Sequence, residues 1–507
     1  MIFIRVISFI NDNIVWGAPM LCLMLFTGVL FTVKTGFFQL RKFPVILRST
    51  VFSKPDSRDA NSVSPFAAMC QALAATLGTG NIAGVSTALA VGGAGAVFWM
   101  WISALFGMMT GFAENVLGTL YRRRENGEYK GGAMLYIRDG LSESPKTRPL
   151  AKPLSALFAA LCVLAGFGMG NAAQMNSASE ALRTSFGVPP LVTGIVLAAL
   201  AAVIVFGGVK RISAFTAKLV PLMSAFYIIG SLYIIISSAN ELPAVLENIV
   251  KSAFGIKQLG GGIAGAAVKT AVSMGFKRGV FSNEAGLGTS VFAHISSGVK
   301  SPVICGMWSV FEIFFDTIVM CSLTALVLLT SGCRAEKLDI TDVTAKTQYF
   351  RLTESDSLIT DGVELNGSIT HSNIAAVTGV ADDSGRIIAA RIEPLNGVGL
   401  ASYAFSAKFG KPAGAVLSVL VVMFAFSTVI GWCYFGGEAV SFLFGDRAKK
   451  PFCAAFIAFS VVGATFNMSV AWGVSDMLNG LMALPNLFAV LCLRKKVFAE
   501  VKKFARK

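Results

Sequence analysis

Two stretches of this chain place polar side chains among closely spaced glycines within otherwise apolar sequence. The first reads LGTGNIAG and includes Thr79 and Asn81. The second reads SMGFKRGVFSNEAGLGTS and begins at Ser273. Each glycine inside a helix costs about 1 kcal/mol relative to alanine, so both stretches are predicted to interrupt a helix. The ends of an interrupted helix present free N–H groups that can bind a carboxylate and free carbonyls that can bind an ammonium group or a cation.

We expect four residues to form the first interruption and three to mark the second. The first set is Gly78, Thr79, Gly80 and Asn81. The second set is Ser273, Gly275 and Phe276. Two alternatives stay open: the polar residues could serve only as helix caps, and the glycines could serve only to let neighbouring helices approach closely.

The composition indicates that these stretches lie in a membrane. Of the 507 residues, 54% are hydrophobic and 14% are charged, whereas soluble domains carry about 25% charged residues. Apolar runs of about 20 residues, the length that spans a bilayer, recur along the chain. The predicted spans, about eleven, are residues 14–34, 65–95, 96–120, 153–182, 188–208, 215–238, 260–293, 302–330, 412–436, 452–472 and 474–493. We therefore predict an all-α polytopic membrane protein embedded in a lipid bilayer.

The two glycine-rich spans occupy corresponding positions in the chain. Each begins a set of five predicted spans, and because five is odd the two sets have opposite orientations in the membrane. Interrupted spans at matching positions of inverted repeats are typical of secondary transporters with a binding site near the membrane midplane. The sequence contains no HExxH, GxSxG or P-loop motif, which argues against a membrane-embedded enzyme.

The net charge of +15 is explained by membrane topology. Of the 43 Lys and Arg residues, 27 fall in five segments that lie on one side of the predicted spans: 34–62, 121–152, 210–218, 447–450 and the tail after 493. The positive-inside rule assigns that side to the cytoplasm. We therefore expect the N-terminus outside and the C-terminus in the cytoplasm, and no nucleic-acid partner.

The chain divides into six regions by hydropathy and charge. Residues 1–62 hold the first span and a basic loop, 63–240 the first repeat, 241–330 the start of the second repeat, 331–395 a polar insert, 396–493 the rest of the second repeat, and 494–507 a basic tail. The insert has a net charge of −4 and short alternating stretches, which predict a small β-rich cap on the outer side. A receptor that senses a ligand through this insert is an alternative to a transporter.

Four strings identify a family. GTGNIAGVSTALAVGGAGAVFWMW, FAENVLGTLYR, YKGGAMLYI and GFKRGVFSNEAGLGTS resemble the alanine/glycine:cation symporter family, also called sodium:alanine symporters. The resemblance covers nearly all of the hydrophobic chain, with the insert outside it. It implies a leucine-transporter-type 5+5 inverted repeat preceded by one extra N-terminal span. It also implies symport of alanine, glycine and other small neutral amino acids with Na⁺, no further cofactor, and a bacterial inner membrane.

The resemblance also implies substrate-binding residues. It makes both interruptions part of the substrate site and adds Gln174, which shares a helix face with Gly166 and Gly170 at i+4 spacing. A buried glutamine that only joins two helices is the alternative.

The predicted sodium site combines hydroxyl and carbonyl oxygens. Phe424, Thr428 and Trp432 share one helix face, and Ser427 is adjacent to Thr428. By resemblance, the Na⁺ ligands are the hydroxyls of Ser427 and Thr428 and the carbonyls of Ala74 and Leu77. Without the family, a Ser-Thr pair could equally bond back to its own helix. Proton coupling stays an alternative that would need a titrating carboxylate in the core, whereas the Ser427–Thr428 pair favours Na⁺.

Trp432 is expected to form a wall of the substrate pocket. An indole one turn beyond Thr428 would leave room for a methyl group or a hydrogen, which gives a steric reason for selecting alanine and glycine. An aromatic anchor at the membrane interface is the alternative. Among the carboxylates of the spans, which are functional candidates by default, Glu284 is expected to form a gating or structural ion pair near Lys277 and Arg278.

Overall fold

The computed structural model describes twelve stretches of the chain: residues 6–7, 9–51, 63–125, 128–255, 261–331, 350–352, 358–360, 363–364, 375–381, 387–394, 397–466 and 468–506. The stretch before the first interruption holds a π-helical turn and three helices. They are Ile10–Val15, α1 (Ala18–Lys34), α2 (Phe38–Arg41) and α3 (Phe43–Val51). The interrupted pair and the next helix are α4 (Pro65–Thr76), α5 (Ala83–Gly92) and α6 (Gly95–Tyr121), with a 3₁₀ turn at Thr79–Asn81.

A short hairpin and seven helices follow α6. The hairpin consists of β1 (Arg123–Glu125) and β2 (Glu128–Lys130). The helices are α7 (Ala133–Leu135), α8 (Arg148–Phe167), α9 (Ala173–Phe186), α10 (Pro190–Val205), α11 (Gly208–Ser237), α12 (Leu242–Ala253) and α13 (Gly261–Asn283). Between α8 and α9 the helical path continues through a π-helical turn, Gly168–Ala172.

The remainder alternates helices with one small sheet. The helices are α14 (Ser290–His294), α15 (Pro302–Ile313), α16 (Ser322–Thr330), α17 (Gly397–Phe409), α18 (Lys411–Phe444), α19 (Lys449–Thr465), α20 (Met468–Cys492) and α21 (Arg494–Ala505). A π-helical segment, Phe314–Cys321, joins α15 to α16. The strands are β3 (Phe350–Leu352), β4 (Leu358–Thr360), β5 (Val363–Glu364), β6 (Ala375–Ala381) and β7 (Ile387–Pro394).

The described backbone contains seven helices long and apolar enough to cross a membrane, or eight if the bent pair α4–α5 counts as one span. This establishes a helical polytopic chain, while the predicted eleven spans and 5+5 repeat stay predictions. The counts differ partly because α10 has 16 residues and α19 has 17, short of a 20-residue crossing. The predicted span 153–182 is part of a longer helical path, Arg148–Phe186.

The polar insert contains the five-stranded antiparallel sheet, in the order β5-β4-β3-β7-β6. Strands β6 and β7 form its longest ladder, from Ala375 opposite Pro394 to Ala381 opposite Ile387. The described backbone of the insert is therefore β-rich, as predicted. The prediction of an all-α protein applies to the membrane-spanning part of the chain.

The second interruption was predicted at the wrong residues. Ser273, Gly275 and Phe276 lie inside the continuous helix α13, and the chain leaves the helix only at residues 284–289. A Cβ added at Gly275 would lie 2.6 Å from the Ala96 carbonyl oxygen, so this glycine permits close packing of α13 on α6. The turn itself is made by Glu284, Gly286 and Gly288, whose φ angles are 56°, 92° and 73°.

Charged loops outside the spans connect distant elements. Lys130 at the end of the hairpin donates to Asp446 in the turn between α18 and α19. This hydrogen bond holds the pKa of the Asp446 carboxyl well below its usual range. Lys449 also pairs with Glu438, with 2.7 Å between Nζ and Oε1. The hairpin is thereby tied to the far end of α18.

A glycine face on α8–α9 packs against α18, which leads to the first prediction. A Cβ at Gly170 would lie 2.3 Å from Trp432 Cβ, so Gly170→Ala should overpack this contact at a cost of about 1–3 kcal/mol. The midpoint of thermal unfolding of the purified protein should fall. Gly265→Ala is the matched control, since nothing lies within 4 Å of its added Cβ. Equal midpoints for the two variants would contradict this packing.

Candidate functional site

The first interruption is a buried turn between two half-helices. Helices α4 and α5 meet there at a bend of 59°. Thr79 and Asn81 are both 0% exposed, and the Asn81 side-chain oxygen accepts a hydrogen bond from the Gly78 N–H at 3.0 Å. The capping role considered for Asn81 is therefore real, and it accounts for one of the backbone donors that the interruption frees.

Gln174 provides the next partner of this turn. Its Oε1 accepts hydrogen bonds from the Thr79 N–H and the Thr79 hydroxyl, both at 2.9 Å. Its Nε2 donates to the Met169 carbonyl at 3.1 Å. A Cβ at Gly78 would lie 2.9 Å from Gln174 Oε1 and 2.7 Å from Thr428 Oγ1, so a glycine is needed where helices α9 and α18 both approach the turn.

Thr428 faces the free carbonyls at the end of α4. Its hydroxyl oxygen lies 3.1 Å from the Ala74 carbonyl oxygen, 3.4 Å from that of Leu77 and 3.1 Å from the Phe424 carbonyl oxygen of its own helix. Three of the four predicted sodium ligands are therefore neighbours. The hydroxyl of Ser427 instead donates to the Phe424 carbonyl of its own helix at 2.8 Å, which is the back-bonded alternative that the sequence left open.

Trp432 is fully buried on the same helix as Thr428. Its ring lies against the glycine face of α8–α9, and its Nε1 donates to Glu284 Oε1 at 2.9 Å. The other oxygen of Glu284 accepts a hydrogen bond from Thr289. Trp432 therefore connects the glycine face to the second interruption, and its burial rules out an interfacial anchor.

The ion pair expected for Glu284 was assigned to the wrong carboxylate. Lys277 Nζ and Arg278 Nη2 lie 2.8 Å and 3.1 Å from Asp476 Oδ2 on α20. The Arg278 guanidinium also lies 4.7 Å from the Trp472 ring centroid, and that ring stacks on Phe281. Lys277 and Arg278 therefore connect α13 to α20, whereas Glu284 accepts a hydrogen bond from Trp432.

A cluster around Asp316 was not predicted as part of the site. Asp316 is 0% exposed in the π-helical segment after α15. Asn81 Nδ2 donates to Oδ1 at 2.7 Å, and the hydroxyls of Ser282 and Thr317 donate to Oδ2 at 2.6 Å and 2.9 Å. The sequence signal was a carboxylate within a span. Its position beside the first interruption depends on the packing of three separate segments.

The residues predicted for the second interruption are not brought to this turn. Gly275 of α13 packs on α6. Phe276 is buried, and its ring centroid lies 6.4 Å from that of Trp99, which belongs to α6. Ser273 is half-buried one turn earlier in α13. Their assignment to the substrate stays a prediction without geometric support. Ser282, later in the same signature, reaches the turn through its hydrogen bond with Asn81.

The gathered residues form a site with separate donor and acceptor sides. Thr79, Gln174 and Asn81 offer polar groups at the start of one half-helix, and Ala74, Leu77 and Thr428 offer oxygens at the end of the other. Free carbonyls and hydroxyls are the ligands preferred by hard cations. A helix start favours a carboxylate, so the two ends of the broken helix present groups of opposite preference, one for an anion and one for a cation.

Comparison with known proteins identifies a family match over most of the chain. The sequence model of the sodium:alanine symporter family matches residues 1–358 and 373–507. Much of the polar insert is therefore within the family match, contrary to the expectation that all of it lies outside. Residues 359–372 separate the two matched parts.

Two relatives are similar over nearly their full lengths. The sodium/alanine symporter AgcS of Methanococcus maripaludis is 36% identical, covering 99% of this chain and 97% of the relative. The probable sodium/glutamine symporter GlnT of Bacillus subtilis is 31% identical, covering 98% and 90%. A solved structure of the Eremococcus coleocola manganese transporter is 15% identical, with a TM-score of 0.46 and coverage of 86% and 81%. The extent of the family match and of the relatives shows that this chain belongs to the sodium:alanine symporter family, a family of membrane transporters that carry out amino-acid symport.

Proposed function

We propose that this protein imports alanine and glycine by symport with Na⁺, through alternating access. The carrying observation is the convergence of Gln174 and Thr428, from two other helices, on the buried turn at Gly78 and Thr79. An amide and a hydroxyl from two other helices thereby place side-chain polar groups at both ends of the broken helix. The family resemblance implies a bacterial inner membrane, and the positive-inside rule places the C-terminus in the cytoplasm.

Na⁺ is assigned to the oxygens at the end of α4. The Thr428 hydroxyl has a single proton but lies near the carbonyls of both Ala74 and Leu77. A cation in this position would coordinate all three oxygens at once. Ser427 becomes a ligand only after rotation of its side chain, because its hydroxyl is bonded to Phe424.

The alanine carboxylate is assigned to the start of the half-helix beyond Gly78. Thr79 supplies an N–H and a hydroxyl, both held by Gln174, and the positive end of the helix dipole supports a negative charge there. Rotation of the Gln174 amide would exchange its contact with Thr79 for one with the substrate. Trp432 closes the pocket towards the second interruption.

The charge balance of the core also favours a coupling cation. Four carboxylates, those of Glu114, Glu284, Glu312 and Asp316, are at most 2% exposed. Among the described residues, none of the four forms an ion pair with Lys or Arg. Buried charges need compensation, and a carboxylate can obtain it from Na⁺ or from a proton. The Asp316 cluster beside Asn81 therefore keeps a proton-coupled small amino-acid permease as the second candidate.

Uptake into proteoliposomes tests the function and the coupling ion. Labelled alanine should accumulate when a Na⁺ gradient is imposed and should not accumulate with a pH gradient in Na⁺-free buffer. Glycine should compete with alanine. Accumulation driven by pH alone would overturn Na⁺ coupling in favour of the proton-coupled permease, and an absence of uptake under both gradients would overturn the transport proposal.

The two neighbouring hydroxyls of α18 provide a matched test of the sodium site. Thr428→Val keeps the shape but removes the oxygen that faces Ala74 and Leu77, and it should raise the Na⁺ concentration for half-maximal uptake by about tenfold or more. Ser427→Ala, which removes an oxygen bonded to its own helix, should have the smaller effect. Equal effects, or a larger effect for Ser427→Ala, would displace the sodium site from Thr428.

Replacement of the pocket wall tests substrate selection. In Trp432→Leu, a larger amino acid such as glutamine should halve alanine uptake at a concentration at least about tenfold lower than in the wild type, because steric exclusion is lost. Trp101→Leu is the control, because the Trp101 N–H also donates to a side chain, that of Ser322 on α16, and not to Glu284. An unchanged competition profile in Trp432→Leu would remove Trp432 from the pocket.

A further inference from the structure

A cavity of about 300 Å³ lies where parts of four helices meet. Its lining includes the end of α10, the start of α11, the last third of α18 and the start of α19, together with two residues of the hairpin strand β2. The residues assigned to the substrate and to Na⁺, all within the described chain, do not line it. The basic segments 210–218 and 447–450 adjoin it, and the positive-inside rule assigns both to the cytoplasmic side of the membrane.

Three lysines and one carboxylate provide the charge of this cavity. The lysines are Lys130, Lys449 and Lys450, and the carboxylate is that of Glu438. Lys449 Nζ lies 2.7 Å from Glu438 Oε1. The side chains of Lys130 and Lys449 are still 20% and 28% exposed, and Lys450 is exposed. The charged lining residues therefore sum to a positive charge within reach of a ligand, which favours an anion.

Two carboxylates outside the lining belong to the same network. Those of Asp446 and Glu125 lie 2.5 Å and 3.2 Å from Lys130 Nζ, and Asp446 also lies 3.5 Å from Lys449 Nζ. Both carboxylates are more than half exposed, where water and salt weaken ion pairs. Within the described part of the chain, Lys450 forms no ion pair, so it is the lysine most available to an added anion.

Another part of the lining is apolar and continues onto the outer face of α10. Phe206 and Ile212 belong to this part. Phe206 is exposed and follows Val196, Leu200 and Val203, which are at least 50% exposed and share one helix face. An exposed apolar stripe of this kind is suited to contact with lipid chains. The cavity thus combines a basic part with an apolar part that leads to the lipid.

We propose that the cavity binds the phosphate group of an anionic phospholipid from the cytoplasmic leaflet. Its volume far exceeds the roughly 30 Å³ share of one water molecule, so a phosphate group has room to enter. Lys449 and Lys450 donate to the phosphate oxygens, while an acyl chain lies along Val203 and Phe206. Basic pockets between membrane helices on the cytoplasmic side are a known type of headgroup site. Inorganic phosphate offers the same oxygens but has no chain for the apolar stripe.

Thermal unfolding of the purified protein in a neutral detergent distinguishes these ligands. Dioleoyl phosphatidylglycerol should raise the unfolding midpoint by about 2 °C or more above the value in dioleoyl phosphatidylcholine. Inorganic phosphate at the same concentration should give no rise. Equal midpoints in the two lipids would overturn the anionic preference, and an equal rise with inorganic phosphate would overturn the lipid as the occupant. The measurement needs neither alanine nor a Na⁺ gradient, so its outcome is independent of the proposed transport function.

A pair of charge variants tests whether the lipid binds in the cavity. Lys450→Gln should require about fivefold more phosphatidylglycerol for the half-maximal rise in midpoint, since one lysine near the phosphate is lost. Lys152→Gln removes an exposed lysine of α8 that does not line the cavity, and it should leave the requirement unchanged. Equal effects of the two variants would indicate a diffuse attraction to the basic surface and would overturn the cavity as the site.

Filling the cavity tests its shape without altering its charge. A Cβ added at Gly437 would lie 3.9 Å from Cys453 Sγ, an ordinary contact, and both residues line the cavity. Gly437→Leu should therefore raise the phosphatidylglycerol requirement by a factor similar to that of Lys450→Gln. An unchanged requirement would contradict binding in this cavity. If Gly437→Leu does not fold, Val209→Trp, at another half-buried lining residue, serves the same comparison.

Discussion

The interrupted helix at Gly78 is the constraint on which the site depends. Inside a membrane, backbone N–H and carbonyl groups released from a helix have no water to bind and must find partners within the protein. Asn81 and Gln174 supply partners on one side of the break, and the Thr428 hydroxyl approaches the carbonyls on the other. The groups that stabilise this turn are therefore those that we propose to bind the amino acid and Na⁺.

Glycine has two different roles around this turn. At Gly78 and Gly170 the missing side chain allows close approach, of Gln174 and Thr428 in the first case and of Trp432 in the second. At Gly286 and Gly288 it allows left-handed backbone within the second interruption, which follows the end of helix α13 at Asn283. Since Glu284 sits at the start of that turn and accepts a hydrogen bond from Trp432, the two interruptions are linked through α18.

The buried carboxylates divide into different environments. Asp316 is surrounded by hydrogen-bond donors near the first interruption, whereas Asp476 is paired with Lys277 and Arg278 on α20. Glu312 has a histidine as its partner. A carboxylate with a fixed cation is already compensated, whereas a buried carboxylate without one still needs a counter-charge. This distinction separates Asp316 and Glu312 from Asp476 in a chain where all three lie within apolar sequence.

The sequence by itself determined the membrane character, the position of the first interruption and the helix face shared by Thr428 and Trp432. These features depend on composition, glycine density and i+4 spacing, which are local properties of the chain. Only the tertiary structure decided which carboxylate pairs with Arg278, that Asp316 meets Asn81, and that the second interruption falls at residues 284–289 instead of near Gly275. The sequence does not distinguish a glycine that breaks a helix from one that lets another helix approach. A buried carboxylate acquires its partner only when helices that are distant in sequence pack together.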